Sequence, residues 1–283
     1  MNLRKLRSNE SDHAFVGIVT AVLLIGLIVV VLALVNVTYV PQWVKDQEAS
    51  HMDTVGNQFA QLKYAVSIQS IANDSTVLSS PVTLARNEIP FFDSTRSSGS
   101  LKITSDTCSL SIETNTTENL SISSDSIKGF IPNTYFVQQE YILEGGSLIL
   151  RQDDSNVLLG KPSFQITEYG KNLSITFLKI NGVSGKTFVA GQRTYPIYTE
   201  VLKNDVQTHT LNNVTNVTIE TEYAESWYNA INSSLLYSGF NFTMTALSDS
   251  VRLDLYDETG DFYNVIIREV PISCQIAYGI VES

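Results

Sequence analysis

The 283 residues carry 18 basic and 29 acidic side chains, a formal net charge of −11, with two cysteines and three histidines. An acidic body with no basic patch in its sequence argues against nucleic acid and against charge-driven docking on anionic lipid. Two cysteines without a Cys-x-x-Cys spacing exclude a four-cysteine zinc site, and the length allows one large or two small domains beyond the apolar segment.

Residues 1–13 hold Arg4, Lys5 and Arg7 against Glu10 and Asp12, a net +1, which leaves −12 to the remainder. From Ala14 to Val44 there are 31 residues without a formal charge, and those up to Val40 are nearly all apolar. As a helix rising ~1.5 Å per residue this run exceeds a bilayer core of ~30 Å. A signal-peptide apolar region is about 7–15 residues and ends at a small-x-small site. Here the run is about twice that length and no such site follows it, so the segment is expected to be retained. The preceding Arg4, Lys5 and Arg7 orient it with the N-terminus in the cytoplasm and everything past Val40 outside. Gly17 and Ala21 share one face of this helix, and Gly26 and Ala33 share a roughly opposite one. Two faces of small residues suit a helix surrounded by copies of itself, although glycine and alanine occur in any membrane helix.

A charged leader, an abrupt change at Asp12-His13-Ala14-Phe15, a long apolar helix and then a body together resemble archaeal type IV pilins and archaellins with a class III signal peptide. The resemblance implies a cut near Ala14–Phe15 by a prepilin-type peptidase, on the cytoplasmic side of the helix, which survives as a filament core. It extends to the body blocks "YILEGGSLILRQ", "NLSITFLKINGVSG" and "TIETEYAESWYNAI", similar to uncharacterised archaeal pilin-like proteins with β-rich heads. Two positions depart from the family. His13 stands where a charged residue usually precedes the cut, and Val16-Gly17 stands where Ser-Pro often follows it. The absence of an early acidic residue in the helix is as in archaeal rather than bacterial pilins.

Pro41 predicts a kink or break. After it, Met52, Val55, Phe59, Leu62 and Val66 recur at 3-4-3-4 spacing, while Lys45, Asp46, Glu48, Asp53 and Lys63 fall elsewhere. The pattern predicts an amphipathic helical stem over 41–77, its stripe forming a seam with the body or a coiled coil with another subunit. Trp43 beside Tyr39 suits a membrane interface, and His51 is expected on the solvated side.

From about Leu78, short alternating runs separated by Gly, Asn, Asp and Ser predict about a dozen strands. Glu144-Gly145-Gly146 and Asp257–Asp261 read as hairpin connections. One helix interrupts the strands, with Tyr223, Trp227, Ile231 and Leu235 repeating every four. The expected fold class is therefore mostly β with a long N-terminal α-helix: a leader (1–13), a transmembrane or filament-core helix (14–40), a stem (41–77) and an extracellular β-sandwich-like head (78–283).

Beyond the leader, Asn-x-Ser/Thr occurs at Asn36 in the apolar helix and, in the remainder, at Asn73, Asn115, Asn119, Asn172, Asn213, Asn216, Asn232 and Asn241. Strand alternation puts Asn172, Asn216 and Asn241 on the polar face, as glycosylation requires and as any polar side chain would also sit. Cys108 and Cys274 are either one disulfide in an exported body or two separate buried thiols. No catalytic residue, metal site or cofactor motif is evident. His209 lies in "DVQTHTLNN" without a nucleophile context. "DLYDETGD" and "RQDDSN" lack the spacing of a twelve-residue calcium loop and read as acidic turns.

The expectation is a non-enzymatic pilin-like surface protein, a minor or accessory subunit. Its partners would be the membrane, other pilin subunits through the N-terminal helix and a prepilin-type peptidase. The alternative is an uncleaved single-pass envelope protein with a ligand- or partner-binding β ectodomain.

Overall fold

A computed structural model describes residues 3–86, 98–116, 118–167, 172–235, 242–255 and 263–276, with side chains described from Phe15 onward apart from those of 163–167. The leader side chains, Asn241 and Asp257–Asp261 lie outside the described residues.

The chain begins as α1 (Leu3–Leu34), passes through a π-helical turn (Val35–Tyr39) and continues as α2 (Val40–Ala72). Pro41 does not break it. Proline lacks an N–H, and its ring collides with the carbonyl one turn earlier. The π turn absorbs this misfit, because the Val40 N–H reaches back five residues to the Val35 carbonyl. Inside the apolar stretch two polar side chains are satisfied locally: Thr20 Oγ1 donates to the Val16 carbonyl (2.9 Å) and Asn36 Nδ2 to that of Leu32 (3.0 Å). The stem ends at Asn73, in the left-handed conformation (φ 51°) that asparagine tolerates, with its N–H bonded to the Gln69 carbonyl.

The body is β-rich, as expected. Its strands are β1 (Leu78–Thr83), β2 (Gly99–Thr114), β3 (Leu120–Ile131), β4 (Gln139–Glu144), β5 (Ser147–Gln152), β6 (Ser155–Gly160), β7 (Ser163–Thr167), β8 (Asn172–Gly182), β9 (Phe188–Gly191), β10 (Thr194–Val201) and β11 (Gln207–Thr221), then, after helix α3 (Ala224–Leu235), β12 (Phe242–Ala246), β13 (Ser250–Leu255) and β14 (Tyr263–Ile276). They form one 14-stranded hydrogen-bonded network, with the order β1-β10-β14-β11-β2-β3-β4-β5-β6 along its main path. All pairings are antiparallel except β8 on β14.

The Glu144-Gly145-Gly146 hairpin and the acidic turn in "RQDDSN" both form. Gly145 (φ 52°) and Gly146 (φ 89°) link the Glu144–Ser147 pair, and Asp153 (φ 48°) with Asp154 links Gln152 to Ser155. Positive φ in the turn matches the twist of the flanking strands. The other expected hairpin connection, Asp257–Asp261, lies outside the described residues, and the strands on either side of it are not partners of each other. β13 and β14 both run antiparallel to β11, at Asn216–Glu220 and Gln207–Val214, so they run parallel to each other and do not pair. Alternation across 251–270 identified both strands but carries no information about which strand each one pairs with.

The hydrophobic core has two parts on opposite faces of this one sheet. In β8, Leu173, Ile175 and Phe177 enter the first part, and Leu178 and Ile180 enter the second. Neighbouring residues of a strand point to opposite faces, so the buried face changes between Phe177 and Leu178. β14 makes the same switch between Ile267 and Val270, and β3 between Ile122 and Ile127. In β2 the switch coincides with two extra residues between Thr104 and Cys108, where Asp106 takes φ 52°. Helix α3 covers the first part with Trp227, Ile231 and Leu235. Helix α2 covers the second with Met52, Val55, Phe59, Leu62 and Val66, the stripe read from the sequence. Close approach of α2 depends on Gly129, where a Cβ would stand 2.5 Å from Phe59 Cζ.

Candidate functional site

The first functional element is the apolar helix. Phe15–Ala72 contains a helix long and apolar enough to cross a membrane, and its most apolar window is entirely unburied by the rest of the chain. Gly17, Ala21, Gly26 and Ala33 all lie in this uncovered stretch. A Cβ at Gly17 or Gly26 would meet nothing within 4 Å. His13 and Ala14 fall within the helical run and Phe15 is exposed. The Tyr39 and Trp43 rings lie 6.2 Å apart, tilted by 36°, where the run gives way to polar helix, in keeping with an interfacial belt.

The second is the joint between helix and body. Glu48 is fully buried. Its carboxylate accepts the main-chain N–H groups of Thr134, Tyr135 and Phe136, each at 2.8 Å, and Arg86 Nε stands 3.8 Å away. Three successive N–H groups make a nest that neutralises a buried carboxylate. The sequence reading set Glu48 off the stripe, but Val44, Glu48 and Met52 extend that stripe one turn at a time, and all three are buried. Higher up, Tyr141 Oη donates to the Met52 carbonyl (3.0 Å), and Gln69 exchanges two 2.9 Å bonds with Thr199. His51 is half-buried rather than simply solvated. Burial, and then the nearby Arg86, lower its pKa.

The third is a buried polar cluster under the Gly145–Gly146 turn. Glu144 is fully buried and accepts from Trp227 Nε1 (2.8 Å) and Thr221 Oγ1. Burial pushes its carboxyl up to about 7, against the opposing pull of those two hydrogen bonds and of Lys128. Cys108 shares this core, and burial together with the Glu144 charge raises its thiol well above the usual value. Cys274, in the other part of the core, is pushed up to about 12 by burial and Asp125. Both thiols are free. Of the two readings of the cysteine pair, the disulfide is therefore not formed, because the two side chains point to opposite faces of the sheet. Thiols this reluctant to ionise are poor nucleophiles. His209 Nε2 lies 3.4 Å from Glu269, which also pairs with Lys179 at 2.9 Å.

Among the sequon asparagines, Asn115, Asn119 and Asn213 are exposed, and the Asn115 N–H bonds to the Asn213 carbonyl at the end of β2 away from α2. Asn73, Asn172 and Asn232 are half-buried. Asn216 corrects the expectation. It is 2% exposed, and its amide nitrogen donates to Glu113 on the neighbouring strand. It lies on a central strand, between cross-strand partners Glu113 and Asp254, so a polar phase does not make it accessible.

Comparison with family models, with curated proteins and with solved structures gives no match to this chain.

Proposed function

We propose that this chain is a pilin-like cell-surface protein, a minor or accessory subunit whose N-terminal helix sits in the membrane or in a filament core and whose body is outside. One observation carries the reading: an uncovered apolar helix runs without a break into a stem whose stripe is built into the core of the body. A segment destined for disposal needs no such continuity. Every residue buried against the body, from Val44 onward, lies beyond the proposed cut at Ala14–Phe15, so processing there would leave the packed fold untouched. Gly17, Ala21, Gly26 and Ala33 would let neighbouring helices approach closely. The role proposed is structural, not enzymatic.

The test is mechanical. A filament subunit should copurify in the fraction sheared from intact cells, and extraction solely by detergent would refute filament assembly. A second reading, an uncleaved anchor with a ligand-binding body, is favoured by the cationic groove described next.

A further inference from the structure

A groove of about 590 Å³ lies between the last turns of α2 and the sheet face opposite the first part of the core. Ser174 and Thr176 of β8, Arg268 of β14 and Thr208 of β11 form its floor, in register through the Thr176–Arg268 and Thr208–Arg268 pairs. Lys63 stands on the helix wall, and Lys161 on the link between β6 and β7. Three cations thus face one groove, and no carboxylate lines it among the described residues. That is unexpected in a chain of net charge −11. Another groove of the body shows the opposite lining, with Asp106, Glu220, Glu222 and Asp249.

These cations are not consumed by the fold. Among the described residues the Arg268 side chain makes one bond, from Nη2 to the Ser70 carbonyl (2.8 Å), and no ion pair, so the guanidinium is held in place without a carboxylate there. Lys63 and Lys161 have no hydrogen bond or ion pair among the described residues. The adjacent Glu269 alternates to the other face, where Lys179 and His209 hold it. Lys63 has its pKa lowered by burial, the mark of a cation stripped of water without a partner. The acidic residues elsewhere on the surface act weakly here, because salt screens them beyond about 8–10 Å.

We propose that this groove binds an acidic saccharide, a sugar bearing carboxylate, sulfate or phosphate groups. Three cations supply charge-assisted hydrogen bonds to the anion. The hydroxyls of Ser174, Thr176 and Thr208 supply neutral partners for sugar hydroxyls, and Leu178 and Ile266 supply apolar surface for a ring. The volume is in the range of roughly 300–1,000 Å³ typical of small-molecule sites, and an inorganic anion would fill little of it. Lys63 lies 23 residues past Val40, about 35 Å along the helix at 1.5 Å per residue. A lipid headgroup layer of roughly 5–8 Å does not reach that height. The inference does not depend on filament assembly.

Calorimetric titration of the full chain in neutral detergent tests it. The probes are tetragalacturonate, a sulfated chondroitin tetrasaccharide, maltotetraose and inorganic sulfate. One of the two acidic tetrasaccharides should bind, more weakly as salt rises, and maltotetraose should not. K161Q removes an exposed, unbonded charge and should keep the wild-type circular dichroism while weakening the acidic probe about tenfold. K63Q/K161Q should weaken it further. Failure of both acidic probes, equal binding of maltotetraose, or wild-type affinity in K161Q would overturn the proposal. Inorganic sulfate binding as tightly as the tetrasaccharide would overturn its saccharide part.

Discussion

Replacing Glu144 with glutamine should make the body more stable at pH 8 and leave it unchanged near pH 4. The carboxyl is raised from an ordinary 4.5 to about 7 by burial. Between these values the folded protein holds a proton that the unfolded chain has released, so stability falls as pH rises through that window. At about 1.4 kcal/mol per pKa unit the loss is about 3 kcal/mol above pH 7. E144Q mimics the protonated acid: its carbonyl oxygen can still accept from Trp227 Nε1 and Thr221 Oγ1. The difference between E144Q and wild type should therefore grow from near zero at pH 4 to about 3 kcal/mol at pH 8. At roughly 2–4 °C per kcal/mol this appears as a rise in Tm of several degrees. Thermal unfolding of the detergent-solubilised chain, followed by circular dichroism and tryptophan fluorescence across pH 4–8, measures it. Comparing the two proteins cancels the background from other groups, including His51. A difference independent of pH, or a less stable E144Q at pH 8, would refute the reasoning.

Other consequences follow from the joint and the core. F59A empties a fully buried site where stem meets sheet and should cost about 3–5 kcal/mol in chemical denaturation. G129A forces a methyl into the same ring and should cost about 1–3 kcal/mol, part of which F59L should restore in the double mutant. E48A removes the common acceptor of three N–H groups and should cost roughly 3–5 kcal/mol. Limited proteolysis should then cut near Asn133–Val137. Because the His51 pKa is lowered, its neutral form is favoured on folding and its contribution is lost as pH falls below about 6.5; H51Q should flatten that acid-side decline. Cys108 and Cys274 should resist iodoacetamide until denaturant is added, and dithiothreitol should not shift Tm.

Much of the architecture is legible in the sequence because it rests on periodicity. The stripe Met52–Val66, the helix bearing Trp227 and Ile231, and the strand 172–182 each follow from one spacing rule applied locally. What failed to show was what depends on partners distant in sequence. Alternation in Leu173, Ile175 and Phe177 predicts a buried face, but only the fold reveals that Leu178 and Ile180 bury the opposite one. A run of two adjacent apolar residues at Phe177-Leu178 was the available signal. Glu48 was hidden because a carboxylate within an apolar stripe reads as surface until the nest at Thr134–Phe136 is seen. The cationic groove was invisible for the same reason. Lys63, Lys161 and Arg268 come from a helix, a link and the last strand, and none of those three stretches is itself basic. Asn216 illustrates the converse, a residue with the right phase but no access to solvent.

The central proposal, a pilin-like subunit retained by its apolar helix, is tested most directly by the intact mass of the protein extracted from its own membranes. The account predicts an N-terminus at Ala14 or Phe15, with the helix retained and the charged leader gone. A mass that begins at Met1 would contradict it.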